Sequence, residues 1–74
     1  MKDETIKIYD EVALLKDRPD DKLLRGQIGT VVECYTDSDF EVEFSDNNGR
    51  TISLLTLPTD EISFFILNLL EWLN

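Results

Sequence analysis

At 74 residues the chain has room for one domain with a thin core, since domains this small bury only about 60% of their unfolded surface. Its 42% apolar content excludes a disordered polypeptide, and its net charge of −9, with no histidine, argues against a partner rich in phosphate. Residues 1–22 carry −2 of that charge and residues 23–74 carry −7, so the body of the domain is the acidic part.

Residues 1–10 are charged, with Ile6, Ile8 and Tyr9 as their sizeable apolar groups, and read as a polar lead-in that settles on the domain. They are too charged for a signal peptide, and no window approaches the roughly 18 apolar residues of a membrane span. A cytoplasmic location is the expectation. Val12-Ala13-Leu14-Leu15 is a short apolar run suited to a buried strand. Pro19 stops it, pushing Arg18 toward extended geometry, and Asp20 to Leu24 form a helical turn that tucks Leu23 or Leu24 under the sheet.

Gly26 and Gly29 bracket Gln27-Ile28 and introduce the central hairpin, Leu24 to Phe44. Without a following helix or a lysine, this GxxG is no phosphate cradle. The second strand of the hairpin sets the register: Phe40, Val42 and Phe44 alternate with Glu41 and Glu43 and face the core. Placing Cys34 opposite Phe40 and Val32 opposite Val42 brings all five inward. Glu33, Glu41 and Glu43 then share an acidic outer face, and Val31 and Tyr35 lie outside. In this register Cys34, the sole cysteine, is a buried small hydrophobe with no disulfide partner.

Ser45-Asp46-Asn47-Asn48-Gly49 marks a tight corner through its Asn-Gly pair. A fourth strand follows over Arg50–Thr56 with Ile52 and Leu54 inward. Leu57-Pro58-Thr59 closes a 3₁₀ step, and a fifth strand starts within Asp60–Phe64, beside the first. The last stretch is the most apolar in the chain and has helical periodicity, with Thr59 or Asp60 as N-cap. The expected organisation is therefore mainly β: a lead-in (1–10), a small five-stranded SH3-like barrel (11–63) and an apolar C-terminal α-helix (64–74).

The blocks Asp10-Glu11-Val12-Ala13-Leu14-Leu15, Asp17-Arg18-Pro19, Gly29-Thr30-Val31-Val32-Glu33, Phe40-Glu41-Val42-Glu43-Phe44 and Leu54-Leu55-Thr56-Leu57, with Leu24, Gly26, Asp46, Gly49 and Thr51 between them, resemble a small bacterial domain family of unknown function in the 4900 series. The resemblance runs from about residue 10 to residue 62. It implies an SH3-like fold and a bacterial source, and it carries no catalytic residues. The GxxGTVV…FEVEF rhythm is more loosely similar to other SH3-like barrels, including the SH3-like small protein of photosystem I and the ferredoxin–thioredoxin reductase variable chain.

No nucleophile–base pair suggests itself, so no catalytic residue, cofactor or metal ligand is assigned. Glu41 with Glu43 as a carboxylate pair, and Glu33, Glu41, Glu43 or Asp37-Ser38-Asp39 as metal ligands, are weaker readings. The expectation is a non-catalytic protein–protein interaction module or homo-oligomer. It docks through Phe64, Phe65, Leu67, Leu69, Trp72 and Leu73 of the helix and through the acidic face of Glu33, Glu41 and Glu43. An acidic antitoxin-like partner of a small basic toxin, a docking component of a redox complex and an RNA-binding module are the alternatives weighed.

Overall fold

The computed structural model describes residues 5–36 and 38–65. Five antiparallel strands form one sheet: β1 (Glu11–Leu14), β2 (Ile28–Cys34), β3 (Asp39–Ser45), β4 (Thr51–Pro58) and β5 (Ile62–Phe64), in the order β4-β3-β2-β1-β5. Two 3₁₀ turns punctuate it, Pro19–Asp21 after β1 and Thr59–Glu61 before β5.

The strands carry one apolar face. Val12, Leu14, Val31, Phe40, Val42, Phe44, Leu57 and Ile62 form a single buried cluster with Ile6 and Leu23, and Leu55 and Phe64 pack against it. Both edge strands, β4 through Leu57 and β5 through Ile62, contribute to that cluster, so the sheet curls around its own side chains. It does not close. Among the described residues no ladder joins β4 to β5, and the expected barrel is corrected to an open, curled sheet. The long connection from Leu15 to Gln27 closes the mouth of the curl and inserts Leu23, which is fully buried; Leu24 stays outside at 65% exposure.

Backbone hydrogen bonds and ion pairs hold that connection in shape. Arg18 and Leu23 exchange two backbone hydrogen bonds across the first 3₁₀ turn, and Gly26 donates to the Leu14 carbonyl at 2.7 Å. The Arg18 guanidinium reaches Glu61 at 2.8 Å and Asp21 at 3.3 Å, while Lys16 reaches Glu61 at 3.4 Å. The turn after β1 is thereby tied to the turn before β5.

Three expectations about register are corrected. In the β2–β3 ladder Cys34 faces Phe40 and Glu33 faces Glu41, but Val31, not Val32, pairs with Val42. Val32 is the extra residue of a β-bulge, which solves a conflict in the sequence. Strict alternation from Val31 would send Glu33 inward, and one additional residue lets Val31 face the core and Glu33 face water. Cys34 is exposed despite its place opposite Phe40, because it sits at the last position of β2, at the rim of the core.

The phase of β4 is also reversed. Ser53, Leu55 and Leu57 pair with Phe44, Val42 and Phe40 and so face inward, leaving Leu54 and Ile52 out at 53% and 39% exposure. A second bulge, at Ile52, follows from the shift between Phe44↔Ser53 and Ser45↔Thr51. Phe64, placed by its periodicity on a C-terminal helix, is the last residue of β5 and pairs with Val12. Of the expected helix only Phe64 and Phe65 are described; residues 66–74 lie outside the described residues.

Candidate functional site

The outer face of the hairpin is the surface that the strands arrange most deliberately. Glu33 on β2 stands directly across from Glu41 on β3, and Glu41 in turn pairs with Thr56 on β4. Glu43, two residues along β3, lies between Thr30 and Leu54. Period-two alternation brings Glu41 and Glu43 to one side of β3, and the Val32 bulge brings Glu33 to join them.

The two β3 glutamates each have a neutral neighbour. The Tyr35 hydroxyl donates to Glu41, and the Thr51 hydroxyl donates to Glu43 at 2.5 Å. The bond to Glu41 raises the Tyr35 pKa above 10.0, with desolvation and the charges of Glu41 and Glu33 acting in the same direction. Removing the phenolic proton would destroy the bond and place a third negative charge beside two carboxylates. Among the described residues the ion pairs join Lys16, Arg18, Asp21 and Glu61; none reaches Glu33, Glu41 or Glu43. Like charges directly opposed on a strand pair destabilise by up to about 1 kcal/mol. The face therefore keeps an uncompensated negative field, fringed by exposed Leu54 and Tyr35.

Tyr35, Thr51 and Leu54 complete this surface and are not among the site residues that the sequence singles out. Their place depends on the two bulges. Alternation does not set the phase of β4, because Ile52, Leu54 and Thr56 on one side and Ser53, Leu55 and Leu57 on the other each hold two apolar residues.

The expected second surface is only partly on view. Phe64 is half-buried against the core, and Phe65 is exposed; with Asp10 and Glu11 they line an open depression of about 190 Å³. Another, of about 200 Å³, is lined by Lys16 to Asp21. Both are smaller than the ~300–1,000 Å³ of small-molecule pockets. Leu67, Leu69, Trp72 and Leu73 lie outside the described residues. Among the described residues no cluster of three His, Cys, Asp or Glu side chains is arranged to hold a metal ion, and no helix is long and apolar enough to cross a membrane.

Fold and surface thus define a small, mainly β domain with a one-sided core and an acidic sheet face. A family model described as "Domain of unknown function (DUF4926)" matches residues 8–64, and the chain belongs to that family. No curated protein and no solved structure matches it.

Proposed function

We propose that this protein is a non-catalytic, SH3-like interaction module that binds a basic protein partner on the outer face of its sheet. The observation that carries the reading is the opposed pair Glu33 and Glu41, with Glu43 beside them and, among the described residues, no cation in contact. A sheet under no external demand gains stability by replacing one of two opposed carboxylates, and a basic partner turns the same repulsion into binding energy and faster encounter. Leu54 and Tyr35 supply the apolar and aromatic area that such interfaces use at their centre.

The SH3-like reading is supported by the strand order, by the long connection after β1 and by the 3₁₀ turn that precedes β5. Absence of histidine from the sequence supports a role without general acid–base chemistry. A bacterial source, a cytoplasmic location and further contacts through Phe65 and the residues after it belong to the same reading. A small basic toxin is one kind of partner it accommodates.

The test is affinity capture from the source cells with the wild-type chain and with a Glu33→Gln/Glu41→Gln/Glu43→Gln variant, at about 0.05 M and 0.5 M salt. A basic protein should be retained by the wild type at low salt and lost with the variant. Equal retention by both, or retention indifferent to salt, would overturn the reading.

A further inference from the structure

We infer that the free edge of β4 is a self-recognition surface, on which a second copy of this chain pairs its own β4 in antiparallel fashion. The proposal does not draw on the charge of the acidic face and rests on the backbone, although the two surfaces share Leu54.

The ladder between β3 and β4 fixes which way each β4 residue points its polar backbone groups. Thr59 N–H donates to the Ser38 carbonyl at 2.9 Å at one end, and Asp46 N–H donates to the Arg50 carbonyl at 2.8 Å at the other. Antiparallel ladders alternate between hydrogen-bonded and non-hydrogen-bonded pairs. Counting from Ser38, the pairs Phe40↔Leu57, Val42↔Leu55 and Phe44↔Ser53 are bonded across the ladder. Leu54 and Thr56 therefore turn their N–H and C=O groups away from β3. Pro58 falls in the same phase, so the residue that has no N–H to give is on the open side, where edge strands tolerate proline.

β4 is an unusual edge. It runs eight residues, Thr51–Pro58, against three in β5, and bears no charged side chain in a chain of net charge −9. Lysines and inward-pointing charges are the common guards of an exposed edge; β4 has neither, and its guards, the bulge at Ile52 and Pro58, stand toward its two ends and leave Ser53–Leu57 between them unguarded. Among the described residues it pairs with β3 alone.

The uncharged strand selects a second copy as its occupant. Pairing about Leu55 sets Leu54 of one copy opposite Thr56 of the other, giving four backbone hydrogen bonds from groups now turned to solvent. Exposed Leu54 of each copy then lies diagonal to Leu54 of the other on the outer face of a continuous sheet, and exposed Ile52 of each lies opposite Pro58 of the other. Repulsion between the acidic faces does not forbid this. The two β3 strands would be three strand spacings apart, about 14 Å, beyond the screening length of about 8 Å at physiological salt. An edge contact of this kind buries less than the roughly 800 Å² per partner of a standard interface, so association in the micromolar range or weaker is the expectation.

The experiment is sedimentation equilibrium of the full chain from about 10 µM to 1 mM under reducing conditions, which keep exposed Cys34 from cross-linking, together with amide hydrogen exchange at both extremes. A monomer–dimer equilibrium is expected, with the Leu54 and Thr56 amides gaining at least tenfold protection at high concentration. Leu54→Lys, at a solvent-facing position that leaves the core untouched, should weaken dimerisation at least tenfold. The inference is overturned by a monomer at 1 mM, by a dimer in which those two amides exchange at the monomer rate, or by a Leu54→Lys variant that dimerises as the wild type does.

Discussion

Gly29 shows how a single missing side chain admits a large one. It faces inward between Val12 and Phe44, and a Cβ built there would lie 2.6 Å from Val42 Cγ1 and 2.8 Å from Phe44 Cε1. Both neighbours are fully buried and have no room to withdraw, so Gly29→Ala should cost about 1–3 kcal/mol, read as a lower denaturation midpoint in urea. Tyr35 offers a test of the acidic face at the same scale. Because its folded pKa is raised, its hydrogen bond contributes stability that is fully present below pH 10 and lost as the pH climbs through the folded value. In a Tyr9→Phe background, tyrosinate absorbance should titrate above the ordinary tyrosine range, and Glu41→Gln should bring it back down.

At the scale of elements, the turns decide where the strands lie. The β3–β4 connection differs from the two-residue corner that Asn-Gly suggests. Gly49 N–H donates to the Asp46 carbonyl at 3.0 Å and Gly49 alone in the turn has positive φ, at 82°, which describes a type I turn followed by a left-handed glycine. Asp46 Oδ1 accepts from the Asn48 and Arg50 amides and locks it. Gly49→Ala should cost about 1–2 kcal/mol through its backbone alone, since a Cβ there would touch nothing within 4 Å. Thermal unfolding with an unchanged native spectrum would verify this. The pairing of Arg18 with Glu61 joins two turns 43 residues apart. With these side chains 29% and 17% exposed, a double-mutant cycle with Arg18→Met and Glu61→Gln should return a coupling of about 1 kcal/mol.

At the scale of the molecule, a buried cluster of ten side chains among the described residues leaves little margin. At the usual 0.05–0.15 kcal/mol per residue, a domain of this length has about 4–11 kcal/mol of stability. Phe44→Ala removes about 3–5 kcal/mol of it and should leave a substantial unfolded population by far-ultraviolet circular dichroism at 25 °C. The charge acts on the same small balance. With −7 on residues 23–74 and, among the described residues, no ion pair neutralising the outer carboxylates, added salt up to about 0.3 M should raise the denaturation midpoint by screening self-repulsion.

By themselves, the residues in sequence determined the β class, the central hairpin, the inward faces of Phe40, Val42 and Phe44, and a shared outer face for Glu33, Glu41 and Glu43. Those follow from burial free energy acting on a period of two, a local signal. Tertiary structure decided that Val31 and Leu55 replace Val32 and Leu54 at the core, that Cys34 reaches water, and that the sheet stays open. The first depends on where one strand slips by a residue against its neighbour, the second on Cys34 standing at the rim of the core, and the third on β4 and β5 forming no ladder among the described residues. A β-bulge costs little locally and is justified only by how well distant side chains then fill a common interior, so composition and alternation along one strand leave it unspecified.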